Sequence, residues 1–298
     1  MEAYLHPGLS ILIAMARFSA DIAVIGHFAK DELVFGGNEE VASGGSVYYG
    51  ALALRRLGLQ VAVVTRLAKA DLPRLDELRA AGILVFARPA KQSSGIRNVY
   101  LSPDMDRRVC TPLGFAGPFR LTDVPSIAAK IWLIGPIMAG EVDIPFVRAI
   151  AERGPVALDV QGFVRVREGG ELVFRDWPQK VDGLSCVHFL KADDVEAQVL
   201  TGKTDLKAAA RELAGYGPRE LVLTHAGGVL VYADGMEYEA PFTPRELKGR
   251  TGRGDTCFAA YLARRLTSSP AEACCFAALV TSLKMENPGP FKGFVDEM

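Results

Sequence analysis

Eight short apolar runs, separated by stretches of helical period, set the fold class of this chain before any single residue does. The runs are DIAVIG (21–26), VAVVTRL (61–67), ILVFAR (83–88), IWLIG (131–135), PVALDV (155–160), VHFLK (187–191), ELVLT (220–224) and VLVY (229–232). Most are apolar throughout and do not alternate, the pattern of strands buried on both faces of a mostly parallel sheet. Helical patterns fall between them at 46–57, 72–81, 142–153, 194–201, 205–214, 255–266 and 271–284. This alternation predicts an α/β fold: a doubly wound, mostly parallel central sheet with helices on both faces. The chain shows no repeat period, low-complexity tract or long linker, so 21–298 reads as a single domain.

Two segments break the alternation. Residues 32–42 and 95–110 read as extended pieces with turns, and IRNVYLSPDMDRRV carries a Ser-Pro-Asp turn between strand-like runs. Pieces of this kind do not fit inside a βαβ layer. They are expected to form a small β lid over the strand ends, where open α/β sheets place their ligands. Such a lid is also where a homodimer would form. Residues 1–20 read as an N-terminal extension. Its apolar stretch at 8–16 is too short to span a bilayer and follows no basic residue, and Met15 competes with Met1 as the start.

Charge excludes other classes. The 34 basic and 35 acidic residues leave a net charge of −1, so no global field draws the chain to nucleic acid or an anionic membrane. The five cysteines include no C-x-x-C pair and two are adjacent, against a disulfide framework or structural zinc and in favour of a reducing cytoplasm.

The chemistry concentrates in Gly249-Arg250-Thr251-Gly252-Arg253-Gly254-Asp255-Thr256, followed at once by a helical pattern. Gly252 and Gly254 permit a tight turn and close approach of a phosphate to the backbone. The free N–H groups at a helix start, with the helix dipole, make an anion site. Asp255 then falls in the first helical turn beside that site, where a carboxylate can take the proton of an attacking hydroxyl. The competing reading makes Asp255 only an N-cap. Downstream of another strand, Gln161 and Arg165 emerge at a sheet end and are acceptor-side candidates, with ordinary loop polarity as the alternative. AQVLTGKT (197–204) fits a permissive P-loop pattern, but its first half reads as helix, so Gly202 is expected to be a C-cap.

TGRGDTCFAAYLARRL resembles the C-terminal signature of the ribokinase-like (PfkB) carbohydrate kinases, D-T-x-G-A-G-D followed by a helix. Other matches follow in family order over about 21–291. GHFAKD (26–31) resembles the first strand end, where the family's Asp, here Asp31, binds acceptor hydroxyls. Gly44-Gly45-Ser46 and the following helix resemble the N-terminal signature. KADDVEA (191–197) resembles the N-x-x-E motif, THAGG (224–228) the nucleotide turn with Thr224 and Gly227, and NPGPF (287–291) the adenine loop with Asn287.

The resemblance implies an ATP-dependent kinase that uses Mg²⁺ and phosphorylates a hydroxyl of a sugar or cyclic polyol, inositol-like polyols included. A nucleoside kinase, or a catalytically silent ligand-binding member, is the alternative. Asp255 would be the base, and Gly252, Arg253 and Gly254 the anion site with Thr251 beside it. Asp193 and Glu196 would organise metal-bound water. Arg253 either adds a cation to the phosphates or is solvated. Four departures stand out: Gly249 replaces the first Asp of the signature, which in the family often helps bind a monovalent cation; Arg253 replaces its alanine; Asp193 replaces the Asn of N-x-x-E; and Tyr49 stands where an acceptor-binding Asn is common. A sugar phosphate acceptor would need extra cations, for which Arg97, Arg107, Arg108 and Arg165 are the candidates.

Overall fold

All eight apolar runs enter one nine-stranded sheet in a computed structural model that describes residues 17–100 and 108–293. In chain order the strands are β1 (Phe18–Ile25), β2 (Ala29–Phe35), β3 (Asn38–Gly44), β4 (Val61–Ala68), β5 (Leu84–Ala90), β6 (Gly95–Tyr100), β7 (Arg108–Gly114), β8 (Ile127–Ile134), β9 (Val156–Asp159), β10 (Arg165–Glu168), β11 (Glu171–Phe174), β12 (Phe189–Asp193), β13 (Glu220–His225), β14 (Gly228–Ala233) and β15 (Met236–Pro241). The large sheet runs β15-β14-β13-β12-β9-β8-β1-β4-β5. From β5 to β13 every pairing is parallel, and β14 and β15 add an antiparallel edge.

Alternate side chains of one strand enter two separate cores, which is why the strands read as unbroken apolar runs. Ile22 and Val24 of β1 pack with the helices Tyr49–Arg56, Arg253–Arg265 and Pro270–Met285 through Leu52, Phe258 and Tyr261. Ala23 and Ile25 point the other way, into a core with Phe146, Ile150, Leu200 and Leu213 of the helices Ile144–Ala151, Asp194–Thr201 and Leu206–Ala214. Local signals fix the helix starts. Asp143 accepts from Phe146 N at 2.8 Å, and Ser269 and Glu272 form a reciprocal capping box before Pro270. Each such cap contributes about 1 kcal/mol.

Strand order reverses between β1 and β8, and ligands of open α/β sheets bind at the carboxyl ends beside such a reversal. There Gly135 N donates to Ile25 O at 2.8 Å, and a side chain on Gly26 would run into the Gly135 carbonyl. Glycine at 26 lets the two strand ends close up under the site, and glycine at 135 makes room for the Ser46 side chain.

Residues 32–42 and 95–110 contribute to one second sheet of order β3-β2-β6-β7, with β2 and β6 parallel and the outer pairs antiparallel. The Ser-Pro-Asp turn (102–104) and Arg107 lie outside the described residues, as do 1–16 with the apolar stretch and Met15, and of the Arg108 side chain nothing is described. Buried His27 ties the points where the chain enters and leaves this sheet. Its Nε2 lies 2.9 Å from Gly117 O, and its Nδ1 lies 2.7 Å from Ser94 Oγ and 3.3 Å from Glu141. Burial pulls its pKa down to about 3, so the ring is neutral.

The short helices Gln161–Val164 and Lys180–Leu184, the β10–β11 hairpin and β15 were not anticipated from the sequence. The β10–β11 hairpin turns through Gly169 and Gly170, both at positive φ, a Gly-Gly turn signal between short strands. β15 carries charges at Glu237 and Glu239 that mask it as a loop. Gly202 is the left-handed C-cap of the helix Asp194–Thr201 at φ 70°, as expected, which places the P-loop-like string within a helix end. Among the described residues no helix is long and apolar enough to cross a membrane.

Candidate active site

A cavity of about 300 Å³ opens where the small sheet faces the carboxyl ends of β9, β12 and β13. Most of its lining positions are polar, charged or glycine residues that the sequence scatters from Asp31 to Asp255. Of the sequence-predicted residues, Asp31, Gly45, Gln161, Arg165, Asp193, Thr224, Thr251, Gly252, Arg253, Gly254 and Asp255 line it. Gly44 stands just behind Asp31: a side chain there would strike the Asp31 carboxylate. Glu196 lies underneath, fully buried. Gly227 is in the exposed turn after β13. Asn287 lines a second cavity of about 260 Å³ with Lys284, Glu286 and Phe291.

The glycine turn is held from behind. Gly252 adopts φ 78° as the left-handed N-cap of the helix Arg253–Arg265, a conformation that favours glycine. The Tyr49 ring packs against its Cα, leaving no room for a side chain. At Gly254 a Cβ would stand 3.3 Å from Lys191 Cε, so glycine here admits the lysine stem. The helix begins at Arg253, two residues earlier than the apolar pattern suggests, because the turn itself supplies its first residues.

Asp255 points back out of the first helical turn and accepts a short hydrogen bond from Ser46 Oγ. Burial raises the Asp255 pKa from the ordinary carboxylate range, and the neighbouring Asp159 charge raises it further. The Ser46 hydrogen bond, Lys191 and Arg165 oppose that rise. Asp255 does not cap its helix, since Gly252 holds the N-cap position and no side-chain cap bond is made there. The cap-only reading of Asp255 therefore has no structural counterpart.

Lys191, 4% exposed, sits beneath the site at 3.1 Å from Asp159 Oδ2 and 3.4 Å from Glu196 Oε2. Burial alone would lower its pKa, but the carboxylates of Asp159, Glu196, Asp193 and Asp255 reverse that and keep the ammonium charged. Burial raises the Glu196 pKa, against the pull of Lys191. Asp193 and Glu196 form a reciprocal capping box: Asp193 Oδ1 accepts from Glu196 N at 2.8 Å, and Glu196 Oε2 accepts from Asp193 N at 2.7 Å. Glu196 Oε1 is buried without a protein partner. That orphaned oxygen suits a water of a hydrated cation, whereas no cluster of three or more metal-ligating side chains exists among the described residues. The donor set therefore fits a Mg²⁺ that arrives on phosphate oxygens and meets the protein through water.

On the opposite side, Asp31 Oδ1 accepts from Ile96 N at 2.8 Å. Gln161 spans from Asp159 Oδ1 (3.0 Å from its N) to Ile137 O (3.3 Å from its Nε2). Arg165 is 7% exposed, with its guanidinium 5.6 Å from the Phe174 ring centre. Arg97 is turned away and ion-paired with Glu32 and Glu39.

Sequence reasoning missed Asn98, Asp159 and Lys191 as site residues. Asn98, 5% exposed in β6, lines the cavity while its Oδ1 accepts from the Cys110 thiol at 3.3 Å. A lone Asn in an extended run carries no local signal. Asp159 ends β9 and Lys191 closes the apolar run that enters β12, and that placement was the available signal.

Residues 13–292 match the pfkB family of carbohydrate kinases. The chain is 30% identical over 268 residues to a cytidine kinase of Thermococcus kodakarensis, covering 85% of this chain and 91% of that one. It is similar to a pyrophosphate-dependent kinase of the ribokinase family, solved with a pyrophosphate analog and myo-inositol, at 36% identity and TM-score 0.85 over 91% of this chain and 97% of that one. A pyrophosphate-dependent myo-inositol-1 kinase, converted into a myo-inositol-3 kinase by two leucine substitutions, matches at 36% identity and TM-score 0.85, covering 91% of this chain and 95% of that one.

Proposed function

Because this chain belongs to the pfkB family of carbohydrate kinases, we propose that it phosphorylates one hydroxyl of a cyclic polyol of the inositol class, with Asp255 as the base. Its fold is ribokinase-like and its chemistry is phosphoryl transfer to a hydroxyl. The observation that carries the reading is the position of Asp255, in one cavity with the Gly252–Gly254 turn and the polar wall of Asp31, Asn98 and Gln161.

In this reading the acceptor O–H gives its proton to the Asp255 carboxylate as its oxygen bonds the terminal phosphorus of the donor. The bond from that phosphorus to the bridging oxygen breaks, and the shortened donor leaves. Backbone N–H groups of 252–255 receive the charge that develops on the transferring group. Arg250 and Arg253 border the same turn and add positive potential. When bound, Mg²⁺ supplies charge neutralisation on the phosphates, and Asp193 and Glu196 hold its water.

A polyol fits better than a nucleoside. Among the described residues Tyr49 is the cavity's one aromatic lining residue, and its ring is covered by Gly252 and Lys284, so none of them offers a free aromatic face to a base. The cytidine kinase relative keeps a nucleoside as the second reading. Of the cations a sugar phosphate would need, Arg97 spends its charge on Glu32 and Glu39, and Arg165 lines the cavity. The retained base and glycine turn argue against a silent member.

For the donor, ATP is the family reading, with Thr224, Gly227 and Asn287 on its path. Pyrophosphate is the second reading, favoured because Asn287 lies in a cavity apart from the phosphate turn and because the 36% identical relative takes that donor. The free thiols fit a reducing cytoplasm. Exposed Phe35 at the end of β2 and Val41 on the outer strand β3 support a homodimer through the small sheet.

The test is a matrix of ATP and pyrophosphate against myo-inositol, ribose and cytidine, with products read by phosphorus NMR. An inositol monophosphate as the best product is expected. Cytidine as the sole acceptor would displace the polyol reading.

A further inference from the structure

We propose that Lys284 is a built-in monovalent cation for the anion turn, a positioning residue that does the work a bound potassium or ammonium ion would otherwise do. This rests on the reading of Gly252–Asp255 as the phosphoryl site. Lys284 lies near the end of the helix Pro270–Met285, where a lysine would ordinarily reach water. Instead it is 1% exposed. Its Nζ donates to the carbonyl oxygen of Gly249 at 2.8 Å and stands 5.6 Å from the centre of the Tyr49 ring. No carboxylate pairs with it among the described residues, although a buried charge ordinarily has a counter-ion.

Those two contacts grip the turn from both sides. Gly249 lies three residues before Gly252, and Tyr49 is the ring packed on Gly252 Cα. The same segment is stitched to the helix end, since the N–H groups of Lys248 and Gly249 both donate to Met285 O, at 2.9 and 3.0 Å. The backbone of Asn287 and Pro288 covers Gly249 so closely that no side chain fits there. A positive charge is thus fixed behind the turn by a carbonyl oxygen and an aromatic face, ligands that suit a weakly hydrated monovalent cation. Asp255 and Arg253 are near enough to influence the ammonium, and burial pulls its pKa down to about 8, so it is mostly charged at neutral pH.

Removing the ammonium should leave a carbonyl-lined hole of about the size of the lost group. In the wild-type enzyme, turnover should be the same in sodium and potassium chloride at fixed ionic strength. Lys284→Met should lower turnover by roughly 10- to 100-fold, the range expected for a lost charged hydrogen bond. Potassium or ammonium chloride should restore much of that loss, and choline chloride at equal ionic strength should not. A merely structural lysine would show no such selectivity. Near wild-type turnover in Lys284→Met, or a loss that no small cation repairs in a variant that keeps its Tm, would overturn the proposal. So would steep potassium activation of the wild type, a readout that needs no variant to fold. If the wild type transfers phosphoryl to none of the acceptors above, the fault lies in the functional reading and not in this one.

Discussion

The hydroxyl of Ser46 donates to Oδ1 of Asp255, joining residues 209 positions apart in the chain. Burial, then the Asp159 charge, raise the proton affinity of Asp255, and this hydrogen bond opposes them. A base acts in its deprotonated form, so a higher pKa removes activity at low pH. Ser46→Ala should move the acid limb of the kcat/KM profile to higher pH and lower kcat/KM about 10-fold near neutrality. An unmoved limb would show that Ser46 does not tune Asp255.

Lys191→Met tests the buried charge network. Taking the cation from Asp159 and Glu196 leaves two buried carboxylates without it, a change that costs about 3–5 kcal/mol. The sign with pH follows from Glu196, whose folded pKa lies above its unfolded value, burial being the first cause. Such a group supports folding below its unfolded pKa, and that support is lost as pH rises through the folded pKa. Without Lys191 the folded value climbs further. The deficit in Tm relative to wild type should therefore be larger near about pH 8 than near about pH 5. A deficit that shrinks with rising pH would contradict this account.

Gly252→Ala should disable the turn. Its φ of 78° is unfavourable for alanine, and the added methyl meets the Tyr49 ring. Either the ring or the N–H groups of the turn must move. A fall in kcat of roughly 10²-fold is expected, comparable to losing one oxyanion-hole donor. Steady-state kinetics beside a thermal melt would separate this from simple unfolding.

Asn98→Leu should act on the acceptor alone. The side chain faces the cavity from β6, away from the glycine turn's own strand and helix. The acceptor KM should rise about 10-fold, as for one lost hydrogen bond, while the donor KM stays within about two-fold. Equal changes in both would place Asn98 elsewhere in the mechanism.

How much was readable in advance divides along physical lines. The large sheet was legible because strands buried on both faces lack polar positions, as in Ile22 to Ile25. The turn was legible because Gly252 and Gly254 answer local backbone demands. Lys191 and Lys284 were not. Each belongs to the site through partners 30 or more positions away: Asp159 for the first and Gly249 for the second. A lysine near a helix C-terminus is ordinarily explained by the helix dipole, so nothing local marks Lys284 as buried. Asn98 was hidden for the same reason, since only the register of β6 against β2 turns it toward the cavity.

Asp255→Asn bears most directly on the central claim. The substitution keeps size and removes the proton acceptor. Single-turnover phosphoryl transfer to the best acceptor should fall by roughly 10²–10⁴-fold, while donor affinity stays within about three-fold because the backbone N–H groups of the turn remain. Transfer at near wild-type rate by a folded Asp255→Asn enzyme would contradict Asp255 as the base, and with it the mechanism built around this cavity.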